Sequence, residues 1–219
     1  MIDLKEEIIT IAHKIYERNL TIGSGGNISL RTNDGILITP SGIPFYELTS
    51  SDIITVDYNG NVKKGAHKPS SEALMHIEIY KTRKDINAII HVHPPLLTGL
   101  SICRIKLDFF HPEQVVYLGN INYVEYVTPT TQKLAMKVKE AVKDSNFIIL
   151  FNHGIVSLGE NIDEAFYRIE ILENLLKSLA IAKIFGTPVS LSFKAVQDIL
   201  ILNSEKYRRD TIRERRWKS

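Results

Sequence analysis

Apolar residues recur at Leu4, Ile8, Ile11, Ala12 and Ile15, the spacing of one helical face, so the chain is predicted to open with a helix capped by Asp3 and running to about Arg18. His13 and Glu17 fall off that stripe. The period then shortens. Ile28 to Arg31 and Ile36 to Thr39 flank Asn33-Asp34-Gly35, and Ile53 to Asp57 and Val62-Lys63 flank Asn59-Gly60, which predicts two hairpins and hence an antiparallel half-sheet. Helical spacing returns at Leu74, Ile77 and Tyr80, with Ser70 as N-cap and Glu72 in the first turn. Ile89 to His93 reads as a strand that Pro94-Pro95 forces out of the sheet. Leu96 to Cys103 reads as a short helix and Arg104 to Gln114 as irregular. Strands are expected around Val115–Leu118 and Tyr123–Val127.

Thr128 or Thr130 can cap a further helix to about Lys143, with Leu134, Val138, Ala141 and Val142 facing inward. Phe147 to Phe151 is a continuous apolar run of strand length, as expected of a strand buried on both faces, and Ile155 to Gly159 forms the next strand. Asn161-x-x-Glu164 resembles a capping box opening a long helix to Phe185, stopped by Gly186 and Pro188. Helices alternating with mostly antiparallel strands, without repeats or a low-complexity linker, indicate an α/β sandwich whose central sheet is covered by helices.

Composition fits that reading. With 219 residues, 44% of them hydrophobic, the chain can build the core of one large domain spanning 1–219. Lys+Arg 27 against Asp+Glu 25 leaves a net charge of +2, which gives no reason to expect a nucleic acid partner. The excess is local: residues 205–219 form a basic C-terminal tail with Tyr207 and Trp217, read as a solvated helix end or a segment packed on a neighbouring subunit. Cys103 is the only cysteine, so no intrachain disulfide forms and a reducing, cytoplasmic setting is expected. No run approaches the roughly 20 apolar residues a bilayer span needs, and no signal-peptide core is recognisable.

Candidate chemistry gathers at element ends. His91 and His93 alternate with β-branched residues, so both project from one strand face, about 6.6 Å apart by strand geometry, close enough to share one ion. His153 ends a second buried strand, and Glu72 opens a helix. Three imidazoles and a displaceable carboxylate would make an open, zinc-like site. Each feature has a plainer reading: a lone His-x-His is often structural, and Glu72 can simply complement a helix dipole. Thr21-Ile22-Gly23-Ser24-Gly25-Gly26-Asn27 supplies either positive φ for a turn or bare N–H groups for an anion. His13, His67 and His76 read as surface or helix-face residues.

Gly25-Gly26-Asn27, Thr39-Pro40-Ser41-Gly42, Lys68-Pro69-Ser70-Ser71-Glu72, His91-Val92-His93 and Asn152-His153-Gly154 resemble, in order and spacing, the motifs of the class II aldolase/adducin family. The resemblance covers about residues 20 to 190. It implies a three-layer α/β/α subunit in a homotetramer with interfacial active sites, cleaving a ketose 1-phosphate of the fuculose phosphate type into dihydroxyacetone phosphate and an aldehyde. It also implies that Glu72, His91, His93 and His153 hold Zn2+ or another divalent transition metal, with Glu72 doubling as acid/base. Gly26, Asn27, Ser41, Gly42, Ser70 and Ser71 match the phosphate pocket.

Family aldolases carry a tyrosine on the loop after the histidine strand. Here the loop reads Phe109-Phe110-His111-Pro112-Glu113-Gln114, so His111 or Glu113 is the candidate in its place, and Tyr207 is the candidate for the family's C-terminal tyrosine. A methylthioribulose-1-phosphate dehydratase-like lyase using Glu113, a pentulose-phosphate 4-epimerase, and a non-catalytic adducin-like module are the alternatives on the same scaffold. Metal binding needs neutral imidazoles, so release is expected on acidification towards about pH 5.

Overall fold

A computed structural model describes residues 3–213. The first helix, α1 (Leu4–Glu17), is capped by the Asp3 side chain, which accepts from the Lys5 N–H, and it buries Ile8, Ile9, Ile11, Ala12 and Ile15. Strands β1 (Asn27–Thr32) and β2 (Gly35–Ile38) form the first expected hairpin, and β3 (Ile54–Val56) and β4 (Val62–Lys64) the second. Helix α2 (Ala73–Thr82) leads to β5 (Ala88–Val92), every residue of which is buried, and Pro95 opens α3 (Pro95–Ile102). Then come β6 (Ile121–Val124), α4 (Gln132–Ala141), β7 (Phe147–Leu150), β8 (Gly154–Gly159) and α5 (Ile162–Phe185). Two further helices, α6 (Phe193–Leu200) and α7 (Asn203–Arg213), complete the described chain.

The strands form one eight-stranded sheet in the order β4-β3-β2-β1-β5-β8-β7-β6. Only β6 with β7 is parallel, and α4 supplies the crossover that such a pair requires. One apolar layer packs α1, α3 and α5 against one sheet face, and a second packs α2 and α4 against the other. The expected three-layer sandwich with a mostly antiparallel sheet is therefore present. In β5 the alternation is strict: Ile90 and Val92 enter the first layer, while Ile89 enters the second. His91, two residues on from Ile89, lies on the same face.

Several local expectations differ from the structure. Val115–Leu118 is not a strand: Gln114–Leu118 is a π-helical turn with Gln114, Val115, Val116 and Leu118 buried. The Gln114 amide explains the preference, because it accepts from Phe110 N–H (2.9 Å) and donates to the Asp108 carbonyl (2.9 Å), coiling the backbone locally. The last strand before α4 starts earlier than read, at Ile121. Thr131, not Thr128 or Thr130, caps α4, accepting from Leu134 N–H at 3.2 Å, while Thr130 takes a left-handed φ of 65°. Ser70 does not cap α2; Glu72 holds that position, and Ser70 Oγ accepts the Glu72 N–H at 3.3 Å.

The basic C-terminal run is helical as far as Arg213 and docks on its own chain. The Asn161 amide donates to the Ile212 carbonyl at 3.0 Å, and the Arg208 guanidinium lies over the Tyr117 ring. The rest of that run, with Trp217, lies outside the described residues.

Candidate metal centre

Strand ends build the site. Pro94 turns the chain out after His93, and Asn152, in a left-handed conformation (φ 58°), makes the turn between β7 and β8 on which His153 sits. His91, His93 and His153 each offer a ring nitrogen, all within 4.8 Å of one another. Gly154 permits this closeness: a Cβ there would lie 2.5 Å from His93 Cδ2 and 2.6 Å from the Val92 carbonyl. Gly26, with φ of 85°, passes against the His91 carbonyl, where a Cβ would approach to 2.9 Å. The positive-φ reading of the glycine segment is realised at Gly23 and Gly26.

Glu72 completes the cluster. Its carboxylate makes no capping hydrogen bond to α2, so the helix-dipole reading does not describe what the side chain touches. Instead Oε2 accepts from Asn27 Nδ2 (3.1 Å) and lies 3.0 Å from His91 Nε2, and Oε1 lies 3.7 Å from His153 Nε2. His91 is fully buried, and its Nδ1 faces the Ile155 carbonyl at 2.8 Å. A carbonyl only accepts, so Nδ1 carries a proton, which leaves Nε2 as the ring nitrogen that can face a metal ion.

Glu72 Oε1, His91 Nε2 and His153 Nδ1 are buried without a hydrogen-bond partner. Orphaned buried polar atoms are costly, and their occurrence on a carboxylate and two imidazoles of one cluster fits a divalent cation. The three histidines can hold a metal, as class II aldolases require.

Burial sets the protonation states. It pushes His93 down to about 3 and His153 down to about 4, with the neighbouring histidines adding to the effect and Glu72 opposing it. Burial also raises the Glu72 carboxyl, but His91, His153 and the Asn27 amide outweigh it and hold the group well below the usual carboxylate range. Burial thus favours the neutral rings of His93 and His153, the form in which an imidazole binds a metal ion.

The expected phosphate residues converge from two loops. Ser41 N–H donates to the Lys68 carbonyl (3.0 Å), Ser70 N–H donates to the Thr39 carbonyl (3.1 Å), and Pro40 bridges Pro69, so Ser41 and Gly42 lie beside Ser70 and Ser71. Ser41, Gly42 and Ser71 are exposed, whereas Ser70 and Asn27 are buried. His111 ion-pairs with Glu113, and Tyr207 is 73% exposed on α7; among the described residues no hydrogen bond or ion pair joins them to the cluster.

His76 departs from its surface reading. It is fully buried, with Nδ1 2.6 Å from Ser29 Oγ and Nε2 2.6 Å from Asn27 Oδ1. A signal was present: Glu72, His76 and Tyr80 are spaced four apart on one helix face, and Asn27 and Ser29 two apart on one strand face.

Residues 6–179 match the profile of the class II aldolase and adducin N-terminal domain. The chain belongs to the class II aldolase/adducin family. An L-fuculose phosphate aldolase of Methanocaldococcus jannaschii is 41% identical over 173 residues, covering 79% of this chain and 93% of the relative. One from Haemophilus influenzae is 35% identical, covering 79% and 80%. A solved L-fuculose 1-phosphate aldolase superposes with a TM-score of 0.85 at 37% identity, covering 95% of this chain and 97% of that one.

Two outcomes follow from this geometry. Gly154→Ala should displace His93 and lower bound metal at least about tenfold at limiting ion, read by elemental analysis. For the metal-free protein, the folded histidines bind fewer protons than their unfolded counterparts between about pH 4 and 6.5, so stability is lost as pH falls through that window. Thermal midpoints across pH 4 to 7 should fall on the acid side, and a midpoint that rose there would contradict the assignment.

Proposed function

We propose that the chain is a zinc-dependent aldolase that cleaves a ketose 1-phosphate of the fuculose phosphate type into dihydroxyacetone phosphate and an aldehyde. The observation that carries the reading is Glu72: a helix-opening carboxylate turned away from its helix and onto His91 and His153 of the histidine cluster, beside a loop pair rich in phosphate-binding chemistry. Cleavage leaves an enediolate, whose charge a divalent ion of Lewis-acid character offsets when bound. His91, His93 and His153 would hold that ion, with Glu72 as a displaceable fourth ligand.

Retro-aldol cleavage removes a proton from the hydroxyl beside the breaking bond, moves the bonding electrons towards the ketone, and then returns a proton to carbon. Glu72 takes a proton from solvent and delivers it to carbon. His111 or Glu113, which lie against each other, takes the hydroxyl proton in place of the family's tyrosine and releases it to solvent. Ser41, Gly42, Ser70 and Ser71 bind the phosphate through hydroxyl and backbone donors, and Asn27 contributes the second hydrogen of an amide whose first goes to Glu72.

His111, Glu113 and Tyr207 reach a site through a second copy in this reading, which makes the enzyme a homotetramer with interfacial sites. The apolar surface left uncovered by one chain supports assembly: Ile184 is 81%, Phe185 86%, Val189 86% and Phe193 81% exposed at the end of α5 and the start of α6. We treat residues 1–219 as one catalytic unit. Among the described residues no helix is long and apolar enough to cross a membrane, and a phosphorylated sugar, being charged, does not cross lipid unaided, which favours a cytoplasmic location.

Glu72→Gln keeps the size and removes the group that carries the proton to carbon, so turnover of the best ketose 1-phosphate should fall by about 10² or more with metal retained. A metal-loaded variant with near-normal cleavage would end the mechanism. Ser71→Asp sets like charge against the phosphate and should raise KM at least about tenfold with metal content intact; an unchanged KM removes Ser71 from the pocket.

A further inference from the structure

Behind Glu72 lies a run of buried polar groups that the reaction does not itself require. Asn27, 4% exposed, is bonded on both ends of its amide, to Glu72 Oε2 at 3.1 Å and to His76 Nε2 at 2.6 Å. His76 Nδ1 meets Ser29 Oγ at 2.6 Å, and Ser29 Oγ meets the Tyr80 hydroxyl at 2.9 Å. His76, Ser29 and Tyr80 are polar side chains in the core with no part in binding substrate, so the arrangement needs a reason.

Donor and acceptor chemistry leaves one assignment. An ionised carboxylate only accepts, so the amide end facing Glu72 is the NH2 group and the carbonyl end faces His76. His76 Nε2 must then carry a proton. Burial pushes His76 down to about 3, so the ring is neutral with a single N–H, and Nδ1 is an acceptor. Ser29 therefore donates to Nδ1. Burial pushes the Tyr80 phenol up and so keeps it protonated, and its hydroxyl faces both Ser29 Oγ at 2.9 Å and the Ser29 carbonyl at 3.0 Å. From Ser29 onward every bond points the same way, towards the carboxylate. An amide in the chain stops it from passing protons along, so it fixes orientation.

We propose that His76 is a positioning residue: its Nε2–H fixes the amide of Asn27 so that Nδ2 clamps Oε2 of Glu72, leaving Oε1 as the free oxygen turned towards His153. The inference rests on the proposed role of Glu72 only for its kinetic arm. Asn27 with its amide reversed would set a carbonyl oxygen against a carboxylate, and without His76 nothing on its far side selects the correct orientation.

The decisive measurement is the tautomer of His76 in the metal-loaded protein, read by long-range proton–nitrogen NMR on histidine-labelled enzyme. A neutral ring protonated on Nε2 is expected; protonation on Nδ1, or a charged ring near neutral pH, overturns the proposal whatever the enzyme's substrate proves to be. The kinetic arm is a double-mutant cycle. His76→Leu should lower kcat roughly tenfold with KM within about twofold and metal retained, and His76→Gln, whose amide can donate to Asn27, should restore most of the loss. Because His76 acts through Asn27, His76→Leu should cost nothing further in an Asn27→Ala background. Additive effects, or a loss carried by KM, overturn the positioning role. Should no ketose phosphate turn over in the unmodified enzyme, the proposed function fails while the tautomer result still decides this one.

Discussion

The site depends on the near coincidence of two backbone periods. A helix advances about 6 Å in four residues and a strand about 6.7 Å in two, so a helix lying along a strand can interleave polar side chains rung by rung. Between β1 and α2 that happens: Asn27 bonds to both Glu72 and His76, and Ser29 to both His76 and Tyr80. Arg31 closes the seam, donating to the Tyr80 carbonyl at 2.9 Å with its guanidinium 4.7 Å from the Tyr80 ring centroid. Polar groups so placed in a core are tolerable only because each finds its partner, and the same requirement fixes the angle at which Glu72 enters the cluster.

The opposite side of the cluster is set by the sheet. Asn27 is the cross-strand partner of His91, and His91 in turn pairs with Val156 on β8, beside the Ile155 carbonyl that orients its ring. His91 and Glu72 are therefore placed by a central strand and the start of a helix, with no loop required to move them, while His93 and His153 sit just past the ends of β5 and β7. Burial then keeps His93 and His153 neutral, and neutral imidazoles are what a cation needs. The phosphate side is different. Its residues lie on two loops laced by backbone bonds, where exposure suits a charged, exchanging ligand.

Much of this was legible in the sequence, because hairpin turns, capping residues and the alternation around His91 are local signals. The three-layer sandwich, the histidine triad and Glu72 were all readable. What escaped depended on pairing between distant segments. Gln114 coils a β-branched run through bonds to Phe110 and Asp108 that no period reveals. His76 looked like a helix-face residue because its helix offers few polar neighbours; only β1, 47 residues away through Ser29, explains its burial. The spacing Glu72-His76-Tyr80 against Asn27-Ser29-Arg31 held that information, but reading it requires knowing that these two elements pack together. Helix α6 was missed for another reason: it buries only Val196, so most of its apolar residues had no core to report.

The central claim is that three strand-end histidines form a preorganised metal site. It is tested most directly by elemental analysis of the purified protein and its His93→Ala variant after dialysis against the same limiting divalent ion. About one ion per chain in the unaltered protein and near-complete loss in the variant are expected. Full metal retention by His93→Ala would contradict the account at its foundation.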